Sequence, residues 1–186
     1  MNKLLSIIQN RNSHRVLAEP HPSKTEMQDI YKAALRAPDH AWLKPSRFIE
    51  IKGNGLTRLS NIFTEFAVKN LGITDENILD KYKNAPYRAP MIIALVTKLI
   101  DHPKVPYIEQ KLSTAAAGQN ILNAIECLGY SGIWRTGKLA FNKELAEMMG
   151  LDGDSEIIGF LYVGKKSGKE KRLPDRPIDD HLTVWD

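Results

Sequence analysis

The chain has 186 residues, 42% of them hydrophobic and 26% charged, which suits one globular domain over residues 1–186. No apolar run reaches the roughly 18–20 residues that cross a bilayer, and the single cysteine, Cys127, excludes an internal disulfide framework and a cysteine-rich metal site. The net charge of +4 resides in one stretch: Lys165 to Arg172 holds five bases and one acid, and the rest of the chain sums to zero. A protein that coats nucleic acid spreads its bases along a face or a helix, so a late, confined excess reads as a solvated run or as an anion contact. The opening MNKLLSIIQNR has no small-residue cleavage site, which predicts mature chain, and the lone thiol suits a reducing cytoplasm.

Leu4, Leu5, Ile7 and Ile8 make a helical apolar stripe that ends before the polar run Asn10 to Arg15. A second helix begins at Ser23, where Ser23-x-x-Glu26 has capping-box spacing, and Met27, Ile30, Tyr31 and Ala34 follow at helical intervals. Pro38 stops it, because the residue before proline is driven out of the helical region. Arg47 to Lys52 reads as a strand, Leu56 to Phe66 as a helix, and Asp75 to Asn84 as a weaker helix. Met91 to Val96 is a continuous apolar run of the kind that is covered on both faces. The longest helix is expected from Tyr107 to Leu128, ending on Gly129 as a left-handed cap. Its small-sided middle, Thr114 to Gly118, lets a neighbouring helix, a backbone or a flat ring approach closely. Ser131 to Thr136 and Glu156 to Val163 are further strands, with Asn142 to Met149 helical between them. The tail His181 to Asp186, with Leu182, Val184 and Trp185, is expected to dock on its own sheet or on a neighbouring subunit. Four strands interleaved with helices predict an α+β fold with a central mixed sheet under several helices.

Familiar nucleotide, hydrolase and zinc motifs are absent, and the five histidines show no ligand pair at helical spacing, so no metal site is expected. Cys127 falls on the apolar side of its helix and is expected to be a buried structural thiol. With no evident acid, base or nucleophile, an enzyme of this kind would rely on a bound cofactor. Three polar clusters lie at element ends: Arg11-Asn12-Ser13-His14-Arg15, Arg36-Ala37-Pro38-Asp39-His40 and Gly132-Ile133-Trp134-Arg135-Thr136-Gly137. Arginine forks and hydroxyls suit an anion, and tryptophan offers a flat face. Taken singly, the clusters also read as a solvated loop, a helix C-terminus favouring arginine, and a core tryptophan beside a surface arginine.

Taken together, in this order and spacing, they resemble the FMN-dependent nitroreductases. Arg11 to Arg15 resembles that family's R-R-S-x-R opening. Arg36 to His40 followed by Lys44-Pro45 resembles its R-A-P-S-x-x-N-x-Q-P segment, and is similar to a short bacterial subgroup of NAD(P)H nitroreductases carrying A-P-D-H. Ala115 through Gln119-Asn120-Ile121-Leu122 to Gly137 resembles the family's long central helix and following strand. Arg172-Leu173-Pro174 and the Val184-Trp185 ending resemble its C-terminal segment. The sequence departs from the pattern at Asn12, Asp39, Lys44 and Ser46, where the family commonly has arginine, serine, glutamine and tryptophan.

The resemblance implies a nitroreductase-like fold and an intertwined homodimer with FMN at the interface. It implies that Arg11, Asn12 and Ser13 hold the phosphate and ribityl end, with Arg172 as a further phosphate partner. Arg36 and His40 would line the site from the helix-to-loop turn, Trp134, Arg135 and Thr136 would flank the cofactor, and Arg15 would face the flavin N1–O2 edge. NADH or NADPH would be the electron donor and a nitroaromatic, quinone or similar small molecule the acceptor, with catalytic chemistry carried by FMN. Lys44 and Ser46, and the absence of inserted helices, imply an open substrate pocket. Alternatives are ene reduction or dehalogenation on the same fold, or flavin binding without turnover. Neither nucleic acid nor membrane is expected as a partner.

Overall fold

A computed structural model describes residues 2–169 and 171–185. Asp186 of the predicted tail and Glu170 of the basic stretch lie outside the described residues. In chain order the elements are α1 (Lys3–Asn10), β1 (Leu17–Ala18), α2 (Lys24–Ala34), β2 (Ser46–Lys52), α3 (Asn54–Lys69), α4 (Glu76–Asn84), β3 (Met91–Lys98), α5 (Tyr107–Cys127), β4 (Ser131–Arg135), α6 (Lys143–Met148) and β5 (Ser155–Lys166). Single 3-10 turns lie at His40–Trp42, Pro86–Arg88 and Ile178–Asp180.

Local chemistry sets the helix starts. The Ser23–Glu26 capping box is formed in both directions, with Ser23 N–H donating to Glu26 Oε2 at 2.7 Å and Glu26 N–H to Ser23 Oγ at 3.3 Å. Asn2, Asp75 and Asn142 cap α1, α4 and α6 through side-chain oxygens that accept first-turn amides. Helix α2 ends at Ala34, ahead of the proline expected to stop it, and the chain turns through Leu35 to Ala37. Gly129, at φ 73°, takes the left-handed position after α5.

The sheet orders its strands β1-β5-β3-β2, with β4 also paired to β5. All four pairings are antiparallel, which corrects the expected mixed sheet. The fully apolar β3 requires only that both faces be covered, and that says nothing of strand direction. Met91, Ile93 and Leu95 face α2 and α5 through Met27, Ile30, Ile121 and Ile125. Ile92, Ala94 and Val96 face α3 and α6 through Leu59, Phe63, Phe66 and Leu145. The two-residue β1 was not expected; it pairs Leu17 and Ala18 with Lys166 and Lys165, and two residues carry too little pattern to be read.

In the β3–β5 ladder Leu95 pairs with Gly159 and Val96 with Ile157, so Ile158 is an unpaired bulge residue. The bulge reverses side-chain parity. Ile157 joins Phe160 and Tyr162 on one face, and Ile158 joins Leu161 and Val163 on the other.

One further expectation is corrected and one is narrowed. Cys127 is exposed, on the side of α5 that borders the open groove shared with Leu4 and Ile8 rather than on the core side held by Ile125. The tail leaves Leu182, Val184 and Trp185 in solvent, with Trp185 95% exposed, so within one chain it docks on no sheet.

Candidate functional site

Trp134 on β4 is seated by two glycines. A Cβ at Gly159 would stand 1.9 Å from the indole nitrogen of Trp134, and one at Gly118 would stand 2.9 Å from its six-membered ring. The small-sided middle of α5 therefore admits a flat ring, one of the readings its composition allows. The indole N–H donates to the carbonyl of Ile158 at 3.4 Å, so the bulge that breaks the ladder also supplies the acceptor.

Next to Trp134, the Arg135 guanidinium lies over the Tyr162 ring, 5.2 Å from its centroid. Arg135 Nε is buried and has no hydrogen-bond partner among the described residues. Burial holds this guanidinium below its ordinary value; Arg88 and Arg15 add like-charge repulsion, and Tyr162 opposes them. The Tyr162 phenol is pushed up by burial and drawn back by Arg135 and Arg88. These side chains open onto a cleft of about 950 Å³ that Arg15 and Thr136 also line. Tyr82, Arg88 and Lys81, from α4 and the turn after it, close another wall.

A second cleft, of about 850 Å³, holds Arg11, Asn12, Ser13 and Arg172, with Lys171 and Arg176 adding positive charge. Asn12 stitches its two halves together. Its amide donates to the carbonyls of Lys171 at 3.2 Å and Arg172 at 3.4 Å, while its Oδ1 accepts from Ser13 N–H at 2.9 Å. An arginine at position 12 has no acceptor for that last bond. Arg11 Nη1 is buried with no hydrogen-bond partner among the described residues, and the Arg11 charge helps to hold down the half-buried Glu126 carboxyl.

Arg36 and His40 join neither cleft. Arg36 borders an apolar groove of about 450 Å³ formed by Leu4, Ile8, Ile30, Ala124 and Leu128. His40 Nδ1 lies 2.5 Å from Glu109 Oε2 at the start of α5. The turn around His40 is tightly braced: Asp39 Oδ2 accepts from Lys44 N–H at 2.8 Å, Arg47 Nη1 donates to the Lys44 carbonyl at 2.7 Å, and Ser113 Oγ donates to the Pro38 carbonyl. Ala41, Trp42 and Lys44 all have φ between 52° and 56°, a region L-residues keep only where surrounding bonds enforce it. Asp39, one of the departures from the family pattern, thus braces this turn through its side chain, while Lys44 takes part through its backbone.

The basic stretch divides. Lys165 and Lys166 belong to β5, and Lys165 Nζ donates to the Gly129 carbonyl at 2.7 Å while lying 3.7 Å from the centroid of the Tyr130 ring. That places a cation at the negative end of α5. Lys171 and Arg172 line the second cleft.

Tyr82, Arg88, Phe160 and Tyr162 were missed in the sequence. Phe160 and Tyr162 do share a strand face, but nothing in the sequence marks that face as the wall of a cleft. Arg88 sits in a short 3-10 turn packed against α3 and α4, and nothing local marks it as part of a cleft. Among the described residues no helix is long and apolar enough to cross a membrane, and no cluster of His, Cys, Asp and Glu suits a metal.

Residues 8–165 match the sequence profile described as "Nitroreductase family". The chain belongs to the nitroreductase family, a family of oxidoreductases. It is 37% identical over 174 residues to "Putative NAD(P)H nitroreductase YdjA" of Escherichia coli (strain K12), covering 92% of this chain and 94% of that protein. A Haemophilus influenzae protein named "Putative NAD(P)H nitroreductase" is 31% identical over 92% of this chain and 94% of its own length. Among solved structures, a nitroreductase-like protein from Bacillus cereus superposes with a TM-score of 0.83 at 21% identity, covering 100% of this chain and 97% of that one. A nitroreductase with bound FMN from Bacteroides fragilis superposes with a TM-score of 0.77 at 16% identity, covering 100% of both chains. The fold is nitroreductase-like.

Proposed function

We propose that this chain is a single-domain, cytoplasmic, FMN-dependent oxidoreductase in which NADH or NADPH and a nitroaromatic, quinone or similar acceptor react in two half-reactions. The observation that carries the reading is the segment 11–15. Its first three residues line one basic cleft and Arg15 lines the other, aromatic-walled one, as a ligand with an anionic end and a flat ring requires. Arg11, Ser13 and Arg172 line the same basic cleft, a lining that fits a phosphate, with the Arg172 backbone tied in place by Asn12.

FMN held by these residues would supply the redox chemistry between a nicotinamide donor and the acceptor. The chain's residues bind and orient. Arg11 and Arg172 would neutralise the phosphate and Ser13 would hydrogen-bond it, Trp134 would give a rigid flat wall, and Arg15 would keep a cation where negative charge develops on reduction. Arg36 and His40 stand apart from both clefts in one chain, and a homodimer would bring them to the site of the partner subunit. Relatives named NAD(P)H nitroreductases and a neighbour described with bound FMN support this assignment.

The test is a visible spectrum of the purified protein with FMN, before and after anaerobic addition of NADH or NADPH. Flavin bands that bleach on addition are expected; protein that gains no flavin absorbance overturns the reading. Arg15→Ala is expected to retain FMN while its reduction slows roughly ten- to a hundred-fold in stopped flow.

A further inference from the structure

The larger cleft has more positive charge than the candidate cofactor contacts account for. Arg15, Lys81, Arg88, Arg135 and Lys138 line it, and no aspartate or glutamate does. None of the five forms an ion pair with a described residue, whereas Lys32, Lys52, Lys69, Lys98 and Lys111 each hold a carboxylate elsewhere on the surface. Arg15 and Arg135 have candidate roles beside the cofactor, and its phosphate has a separate cleft with Arg11, Lys171, Arg172 and Arg176. Lys81, Arg88 and Lys138 remain unassigned.

Their placement is selective. Lys81 lies on α4 and Arg88 in the following turn, while Lys138 follows β4 across the cleft, so the cations converge from separate elements. The apolar lining between them, Ile78, Tyr82, Ile133, Leu139 and Phe160, suits the ring of an aromatic molecule. Like charges gathered without a counter-ion repel one another, and an incoming anion relieves that repulsion.

We propose that Lys81, Arg88 and Lys138 select an anionic electron acceptor, an aromatic molecule bearing a carboxylate or similar fixed negative charge, at the open side of this cleft. The inference rests on the reading of the cleft as the flavin site. The nicotinamide donor also carries phosphate, so the test separates the two sources of negative charge.

The experiment compares FMN-loaded protein with the triple variant Lys81→Gln, Arg88→Gln, Lys138→Gln. Its readout is the ratio of kcat/KM for 4-nitrobenzoate to that for the neutral 4-nitrobenzamide. The ratio is expected to be about ten in the wild type and to fall to about one in the variant, the scale of several solvent-facing charge contacts. It should also decline as salt is raised. A control removing as many charges elsewhere, Lys32→Gln, Lys69→Gln, Lys143→Gln, should keep the wild-type ratio. A wild-type ratio near one, or a ratio that survives the triple change, overturns the proposal. So does a variant that slows flavin reduction by NADPH but not NADH while the acceptor ratio stays put, since the anion would then be the dinucleotide's extra phosphate. Binding of benzoate and benzamide to the same proteins, followed by NMR line broadening, needs no turnover. A benzoate preference lost in the triple variant supports the charge selection even if the protein took up no flavin, and equal binding of the two overturns it.

Discussion

The strand that carries Trp134 and the turn that carries His40 hold their candidate residues by different means. Trp134 is enclosed by its own chain: two glycines make room, a bulge carbonyl accepts its N–H, and Arg135 beside it lies over Tyr162. The turn at 39–44 is equally well braced at its backbone, yet it presents His40 to solvent and Trp42 at 82% exposure. One region is complete within a single chain. The other is rigid but unfinished, and it lies beside the apolar outer face of α5, where Leu112 is 60% exposed and Ile108 lies one turn away. A helix that is apolar on both its inner and outer faces needs cover on both. The contrast fits a site assembled from two copies, each supplying a finished wall and an unfinished turn.

The strongest challenge to that comparison is the double substitution Ile108→Glu with Leu112→Glu. Burying two charges at an interface costs on the order of several kcal/mol, so a particle of twice the 21.0 kDa chain mass is expected for the wild type and a single chain for the variant in sedimentation. A wild type that sediments as one chain would break the two-copy reading. Gly159→Ala probes the finished wall. With a Cβ 1.9 Å from the Trp134 indole nitrogen, overpacking should cost about 2–3 kcal/mol in denaturant unfolding and shift tryptophan fluorescence. Lys165→Met removes the cation at the end of α5 and is expected to cost about 1 kcal/mol, measured the same way.

The smallest effect is expected at Glu126. Burial raises its carboxyl above the ordinary 4.5, with Ser131, Arg11 and Lys166 pulling it back. A carboxyl whose pKa is higher folded than unfolded contributes stability below its unfolded value and loses that contribution as pH rises through the folded value. Glu126→Gln should therefore gain in melting temperature relative to wild type between about pH 4 and pH 7, and the opposite slope would contradict the assignment.

Much of this architecture is legible in the sequence. A capping box and helical spacing locate α2, and the apolar run at Met91 to Val96 announces a strand covered on both faces. Strand direction is not legible, because apolar coverage looks the same in parallel and antiparallel ladders. Nor is the bulge at Ile158: an extra residue in an all-apolar strand leaves the pattern unbroken while exchanging the faces on either side of it. The candidate site is legible where short motifs supply it, at Arg11 to Arg15 and Trp134 to Thr136. Arg88 and Tyr162 escape because their significance is purely spatial. The exposed Cys127 was misjudged because an apolar stripe predicts burial without saying whether the cover comes from the same molecule, the same reason the tail reading left two docking surfaces open.

The bridge made by Asn12 has a mechanical consequence. Its bonds to Lys171 and Arg172 join points 159 and 160 residues apart in sequence, extending the closure of the two ends of the chain beyond the β1–β5 pairing. Chain ends are where proteins open first. A doubly charged ligand drawn to Arg11 on one side and Arg172 on the other would act as a removable clasp, converting ligand occupancy into resistance against unzipping from both ends at once.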